Sequence, residues 1–161
     1  MKREQLDRIV NSVPGFSGQW AAFRSEWETE GELPLYVGMS ELAHYVVESY
    51  SDGRTNELTN LFSTIEDVLQ NVESDVEDLI AVGLFEDVQN IASHREFGAA
   101  PLRQLLGPRS LKIWDEVDEG MKRVAQRAAT QRESRKFDVE KALSEVQSPE
   151  LRKIIESLYR K

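Results

Sequence analysis

TNELTNLFSTIEDVLQNV, residues 55–72, decides the fold class. Leu58, Leu61, Phe62, Ile65, Val68, Leu69 and Val72 recur at i, i+3, i+4 and i+7. That spacing gathers them into one stripe of an α-helix and would scatter them over both faces of a strand. Thr55, with Glu57 close behind, offers a helix start. Upstream, Asp52-Gly53 offers a stop for the preceding segment.

The same reading extends in both directions. On the N-terminal side, SELAHYVVESYSDG (residues 40–53) places Leu42, Tyr45, Val46 and Ser49 on one helical face. Before it, Gly31 and Pro34 in EGELPLYVG (residues 30–38) break the helical pattern. A helix from Ser17, read as its N-cap, aligns Trp20, Phe23 and Trp27. Another from Arg3 to Asn11 carries Leu6, Ile9 and Val10, with Val13 following at the same spacing and Pro14-Gly15 as its stop. On the C-terminal side, ESDVEDLIAVGLFEDVQNIASH (residues 73–94) is apolar all round from Leu79 to Phe85. This predicts a buried central helix over 75–93, in which Gly83 marks a close crossing or a kink.

NIASHREFGAAPLRQLLGPRSLKIW (residues 90–114) reads as a joint. Gly98 and Pro101 stop one helix, and Pro108 opens the next, with Leu111, Trp114 and Val117 as its stripe. Beyond it lie a basic helical stretch, MKRVAQRAATQRESRK (residues 121–136), and two short predicted helices, FDVEKALSEV and SPELRKIIESLYRK. Pro149 stands at the start of the latter. No segment alternates like a strand, and nothing repeats at a long fixed period. The expectation is an all-α, single-domain irregular bundle of about six to eight helices. Residues 1–120 would form its core domain and 121–161 a helical C-terminal extension.

Composition limits the function classes. With 161 residues, 40% apolar and 30% charged, the chain has the content of a globular domain. No apolar run reaches the ~20 residues of a membrane span. MKREQLDRIV is followed by no apolar block, so no signal peptide is expected. The absence of cysteine removes disulfides and thiolate chemistry and suits the cytoplasm. Charge is segregated: residues 26–90 hold sixteen Asp and Glu against one basic residue, Arg54, a net −15. Such a region repels nucleic acid, so no direct nucleic-acid binding is expected there. The basic stretch Lys122–Lys136 contains no stacking aromatic, Phe137 being the nearest. Its charges are expected to pair with the acidic helices of the same chain.

Three constellations bear on chemistry. Glu41-x-x-His44, with Glu48 a turn further, has the spacing of a carboxylate-bridged dimetal site. That site needs a second such motif and two more Glu, so a surface or capping role is the expectation and no metal or cofactor is assigned. Ser93-His94, with Asp87 upstream, supplies triad residue types. Neighbours on a helix point about 100° apart, however, and no nucleophile elbow is present. His94 is read instead as meeting the negative end of its helix. Finally, Glu66, Asp67, Glu73, Asp75, Glu77, Asp78, Glu86 and Asp87 form an acidic cluster without calcium-loop spacing. Two readings remain for it: a solvated helix surface, or an anionic docking patch for a basic partner.

FSGQWAAFRSEWE, YVGMSELAHYVVESY, LFSTIEDVLQ, VGLFEDVQNIASH and LGPRSLKIWDEV, in that order between Phe16 and Glu119, resemble a bacterial family of small all-helical proteins of unknown biochemical function. Members are similar to immunity-type proteins of polymorphic-toxin and contact-dependent growth inhibition systems, and they end soon after the helix of Trp114. The resemblance implies a non-enzymatic cytoplasmic protein that binds and blocks one cognate toxin domain; the −15 central region adds the expectation that this toxin is basic, such as a nuclease. The resemblance supplies no catalytic residues. The alternatives are a helical scaffold or adaptor that associates through its tail, and an enzyme built on His44 or His94.

Overall fold

The computed structural model describes residues 2–29 and 31–159, without the side chains of Phe137 and Tyr159. The predicted all-α class holds. The helices are α1 (Lys2–Asn11), α2 (Ser17–Trp27), α3 (Leu35–Ser51), α4 (Thr55–Leu69), α5 (Ser74–Asp78), α6 (Asp87–Ser93), α7 (Ala100–Arg103), α8 (Pro108–Glu145) and α9 (Pro149–Tyr159). A 3₁₀ turn, Pro14–Phe16, precedes α2, and a π-helical segment, Leu79–Glu86, joins α5 directly to α6. With that continuous rod counted as one, eight helices stand among the described residues, and the rod is the central helix expected over 75–93.

Two compact units divide the chain, Met1–Glu119 and Gly120–Lys161. In the first, α3 is as central as the rod. It buries Gly38, Met39, Leu42, Ala43, Tyr45, Val46, Val47 and Ser49, leaving a narrow outer strip with Glu41, His44 and Glu48 exposed. Backbone approach makes this possible. A Cβ on Gly38 would stand 2.7 Å from Cζ3 of Trp20 and 3.0 Å from Cε1 of Phe23, so α2 lies hard against α3 there. A Cβ on Gly83 would stand 3.1 Å from Cβ of Met39 and 3.2 Å from Cδ1 of Tyr36. The close crossing expected at Gly83 is therefore with α3, and the rod widens into π geometry around it.

Three fully buried phenylalanines, Phe16, Phe62 and Phe85, anchor the core. Each contributes about 1.5–3 kcal/mol from removal of its ring from water. Phe85 meets Trp114 edge-on, with centroids 5.5 Å apart, which ties the rod to α8. Buried Gln89 donates Nε2–H to the Trp114 carbonyl at 3.0 Å, so its amide nitrogen is satisfied inside the core. The end of α3 follows the expected stop. Gly53 has φ +76°, its N–H bonds to the Tyr50 carbonyl at 3.1 Å, and Arg54 N–H bonds to the Ser49 carbonyl at 2.8 Å. These are the paired bonds of a Schellman motif.

Four local expectations are corrected. Ser17 is not an N-cap: it is the first residue of α2, and its hydroxyl donates to the Pro14 carbonyl at 2.7 Å. The 3₁₀ turn runs straight into the helix and leaves no cap position for it. Pro101 does not merely interrupt, since it lies in the first turn of the short α7. FDVEKALSEV is not a separate helix, because α8 continues through it to Glu145 with no helix-breaking residue in between. The all-round burial read from Leu79–Phe85 fails at Val82, which is 50% exposed.

The second unit is described by the later part of α8 and by α9. Among its described side chains none is buried. Leu151, Ile154 and Leu158 are 54%, 54% and 68% exposed along one side of α9. Across the described residues, no helix is long and apolar enough to cross a membrane.

Candidate functional site

The eight carboxylates of the acidic cluster separate into two groups. Four are engaged by the chain's own cations and helix ends. Asp67 accepts from Arg8 at 3.4 Å, Asp75 pairs with Lys2 at 3.2 Å, and Glu77 accepts from Arg109 at 2.7 Å. Such exposed pairs each contribute about 0–1 kcal/mol.

Glu66 is held far more closely. Its carboxylate accepts Arg109 N–H at 2.9 Å, Ser110 N–H at 2.9 Å and the Ser110 hydroxyl at 2.7 Å. It therefore caps the first turn of α8 from another helix, where free amides and the helix dipole favour an anion. Gly107 makes room for it: a Cβ there would lie 2.5 Å from Cδ of Glu66. Burial pushes the Glu66 carboxyl upward. The bonds from the Ser110 hydroxyl and the two amides, with the Arg109 charge, outweigh burial and hold it below its ordinary value.

The other four, Glu73, Asp78, Glu86 and Asp87, have no cationic partner among the described residues. Three of them, Asp78, Glu86 and Asp87, bracket or end the π-helical segment. Neither α3 nor the rod from Ser74 to Ser93 contains a Lys or Arg, so nothing on those elements offsets this charge.

Both histidines are exposed, and they stand on separate elements. His44 is exposed on α3, and Glu48 of the same strip is paired with Arg95. His94 ends α6 in the exposed C-cap position, as its sequence context suggests. The Ser93 hydroxyl donates to the Asn90 carbonyl at 2.6 Å rather than to His94. Among the described residues, no group of three or more His, Asp or Glu side chains is placed to hold a metal ion.

One network goes beyond the sequence reading. Tyr45 donates its hydroxyl hydrogen to Glu57 at 2.7 Å and accepts from Arg54 at 3.0 Å. Glu57 also accepts Gly15 N–H at 2.8 Å. Burial first, and then the bond to Glu57, raise the Tyr45 phenol above its ordinary range. A Cβ on Gly15 would stand 2.1 Å from the Tyr45 hydroxyl oxygen, so any larger residue there must displace the Tyr45 hydroxyl. This network clamps the α1–α2 connection to α3 and α4. Its one sequence signal is the Gly after Pro14, which by itself reads as no more than a helix stop.

What fold and surface define is a helical bundle in which some carboxylates fasten its own helices and others stand along one rod with no cation beside them among the described residues. It belongs to the family described as domain of unknown function (DUF7674), whose model matches residues 6–122. Residues 123–161 lie outside the match. Comparison with curated proteins finds no match, and comparison with solved structures finds none.

Proposed function

We propose that this protein is an immunity protein, which neutralises a cognate bacterial toxin in the cytoplasm by binding its toxin domain through an acidic surface. The observation that carries the reading is the set Glu73, Asp78, Glu86 and Asp87, carboxylates without cationic partners among the described residues, in a region of net −15. An anionic face of this kind suits a basic nuclease cleft, speeding encounter and excluding neutral or acidic surfaces. The segments between Phe16 and Glu119 resemble a family of unknown biochemical function whose members look like immunity-type proteins, which supports the same reading.

Co-expression with the product of the adjacent open reading frame tests it. Growth rescue and co-purification of a stable complex are expected. Toxicity without rescue, or no association, refutes the proposal.

A scaffold role is the second reading, favoured by the exposed Leu151, Ile154 and Leu158 of α9. Truncation at Gly120 separates the two. A truncated chain that is monomeric and still binds the toxin eliminates the scaffold.

A further inference from the structure

The unpaired carboxylates of the rod lie at the two ends of a segment that exposes apolar surface. Val82 lies in the middle of the π-helical segment and is 50% exposed, although Leu79, Ile80, Leu84 and Phe85 around it are buried. Where α3 crosses this segment, Tyr36 and Val37 are 49% and 46% exposed. Cδ1 of Tyr36 comes within 3.2 Å of the place a Gly83 Cβ would occupy, so its ring meets the segment at Gly83, the residue after Val82. Water-exposed aliphatic and aromatic surface thus collects at one helix crossing. Asp78 precedes the segment, Glu86 ends it and Asp87 follows, and on α3 the exposed Glu41 lies one turn beyond Val37. No Lys or Arg occurs on either element.

We infer that the crossing of α3 with the π-helical segment is the docking face for a folded partner that presents an apolar protrusion ringed by Lys and Arg. This deepens the toxin-binding reading and rests on it. Tyr36 and Val82 form a small apolar centre of the type that carries most of the binding energy in protein interfaces. The carboxylates form the polar rim, which sets partner choice and encounter rate. A second copy of this chain is disfavoured as occupant, because a two-fold contact would bring Asp78, Glu86 and Asp87 close to their own equivalents. Nucleic acid is disfavoured by the same charges. Local π geometry also recurs at functional sites, where a helix must offer a non-standard surface.

The test uses the full chain and the product of the adjacent open reading frame, with binding kinetics measured at low and high salt. Tyr36→Ala is expected to weaken binding about 30-fold, mainly through faster dissociation. Val82→Gln, a milder change at a half-exposed position, should weaken it about tenfold. The triple change Asp78→Lys, Glu86→Lys, Asp87→Lys should slow association at least about tenfold at low salt and flatten the salt dependence. Asp67→Asn and Asp75→Asn, which alter carboxylates already paired within the chain, should stay within about threefold of the parent protein.

If the parent protein binds and all three rim and centre variants bind within about threefold of it, the docking face is wrong while toxin binding stands. If the parent protein neither rescues growth nor binds, the toxin-binding reading falls and takes this inference with it.

Discussion

Glu66→Ala and Gly107→Ala make a thermodynamic cycle with an unusual expected sign. Glu66→Ala removes a charged acceptor of three hydrogen bonds and leaves the Arg109 and Ser110 amides at the start of α8 without it. Loss of a helix cap costs about 0.5–2 kcal/mol and loss of bonds to a charged group about 1.5–3, so about 2 kcal/mol is expected. Gly107→Ala acts on the same contact from the other side. Its Cβ would sit 2.5 Å from Cδ of Glu66 and must expel the carboxylate, at a similar cost. Gly107 has no positive φ, so alanine is otherwise tolerated there. In the Glu66→Ala background the collision is gone, and Gly107→Ala should become neutral or stabilise by about 0.4–1 kcal/mol through the unfolded state. The coupling between the sites should exceed about 1 kcal/mol. Equilibrium urea denaturation followed by tryptophan fluorescence measures it, since Trp20, Trp27 and Trp114 all lie in the first unit. If Gly107→Ala costs as much in the Glu66→Ala background as in the parent protein, the cap is not what the glycine accommodates. The cycle also depends on pH. The folded Glu66 carboxyl is more acidic than the unfolded one. Its stabilisation is fully present above the unfolded value of about 4.3 and is lost as pH falls through the folded value. The cost of Glu66→Ala should therefore shrink in acid.

Other substitutions probe the clamps and the core. Gly15→Ala should destabilise by about 1–3 kcal/mol by forcing the Tyr45 hydroxyl off Glu57; chemical denaturation of this variant, alone and with Tyr45→Phe, should show that removing the hydroxyl recovers much of the loss. Gly83→Val should cost about 1–3 kcal/mol through overpacking against Met39 and Tyr36, and an unchanged denaturation midpoint would contradict the close crossing. Phe85→Ala should cost about 3–5 kcal/mol and alter the emission of Trp114, its edge-on neighbour. Ile154→Ser, on the exposed side of α9, should leave the fluorescence-detected stability within about 0.5 kcal/mol of the parent.

What can be read from the sequence follows the range of each interaction. The stripe Leu58–Leu69 and the initiating Pro108 and Pro149 act within a few residues, and each helix they announce is present. The π geometry is not legible, because an all-round apolar run is compatible with either winding and only Gly83 hints at the crossing. The same run places Val82 in the interior, where the structure does not. Glu66 groups in the sequence with its acidic neighbours because its true partners, Arg109 and Ser110, are 43 and 44 residues away. The division of the carboxylates into engaged and unpaired is likewise a matter of tertiary placement. Tyr45, one position of an apolar face by its spacing, is also the centre of a polar network through Arg54 and Glu57.

The unit Gly120–Lys161 has helix without buried side chains among its described residues. Ellipticity reports ordered peptide groups whether or not their side chains are packed, whereas the heat-capacity change of unfolding follows the apolar area newly wetted. The two observables therefore weight this chain differently. A dichroism melt should show a broad component from lightly supported helix, superimposed on the sharp transition of the packed helices. Calorimetry should register mainly the sharp one, and the two enthalpies should disagree. For this molecule a melting temperature is a property of the chosen signal as much as of the protein.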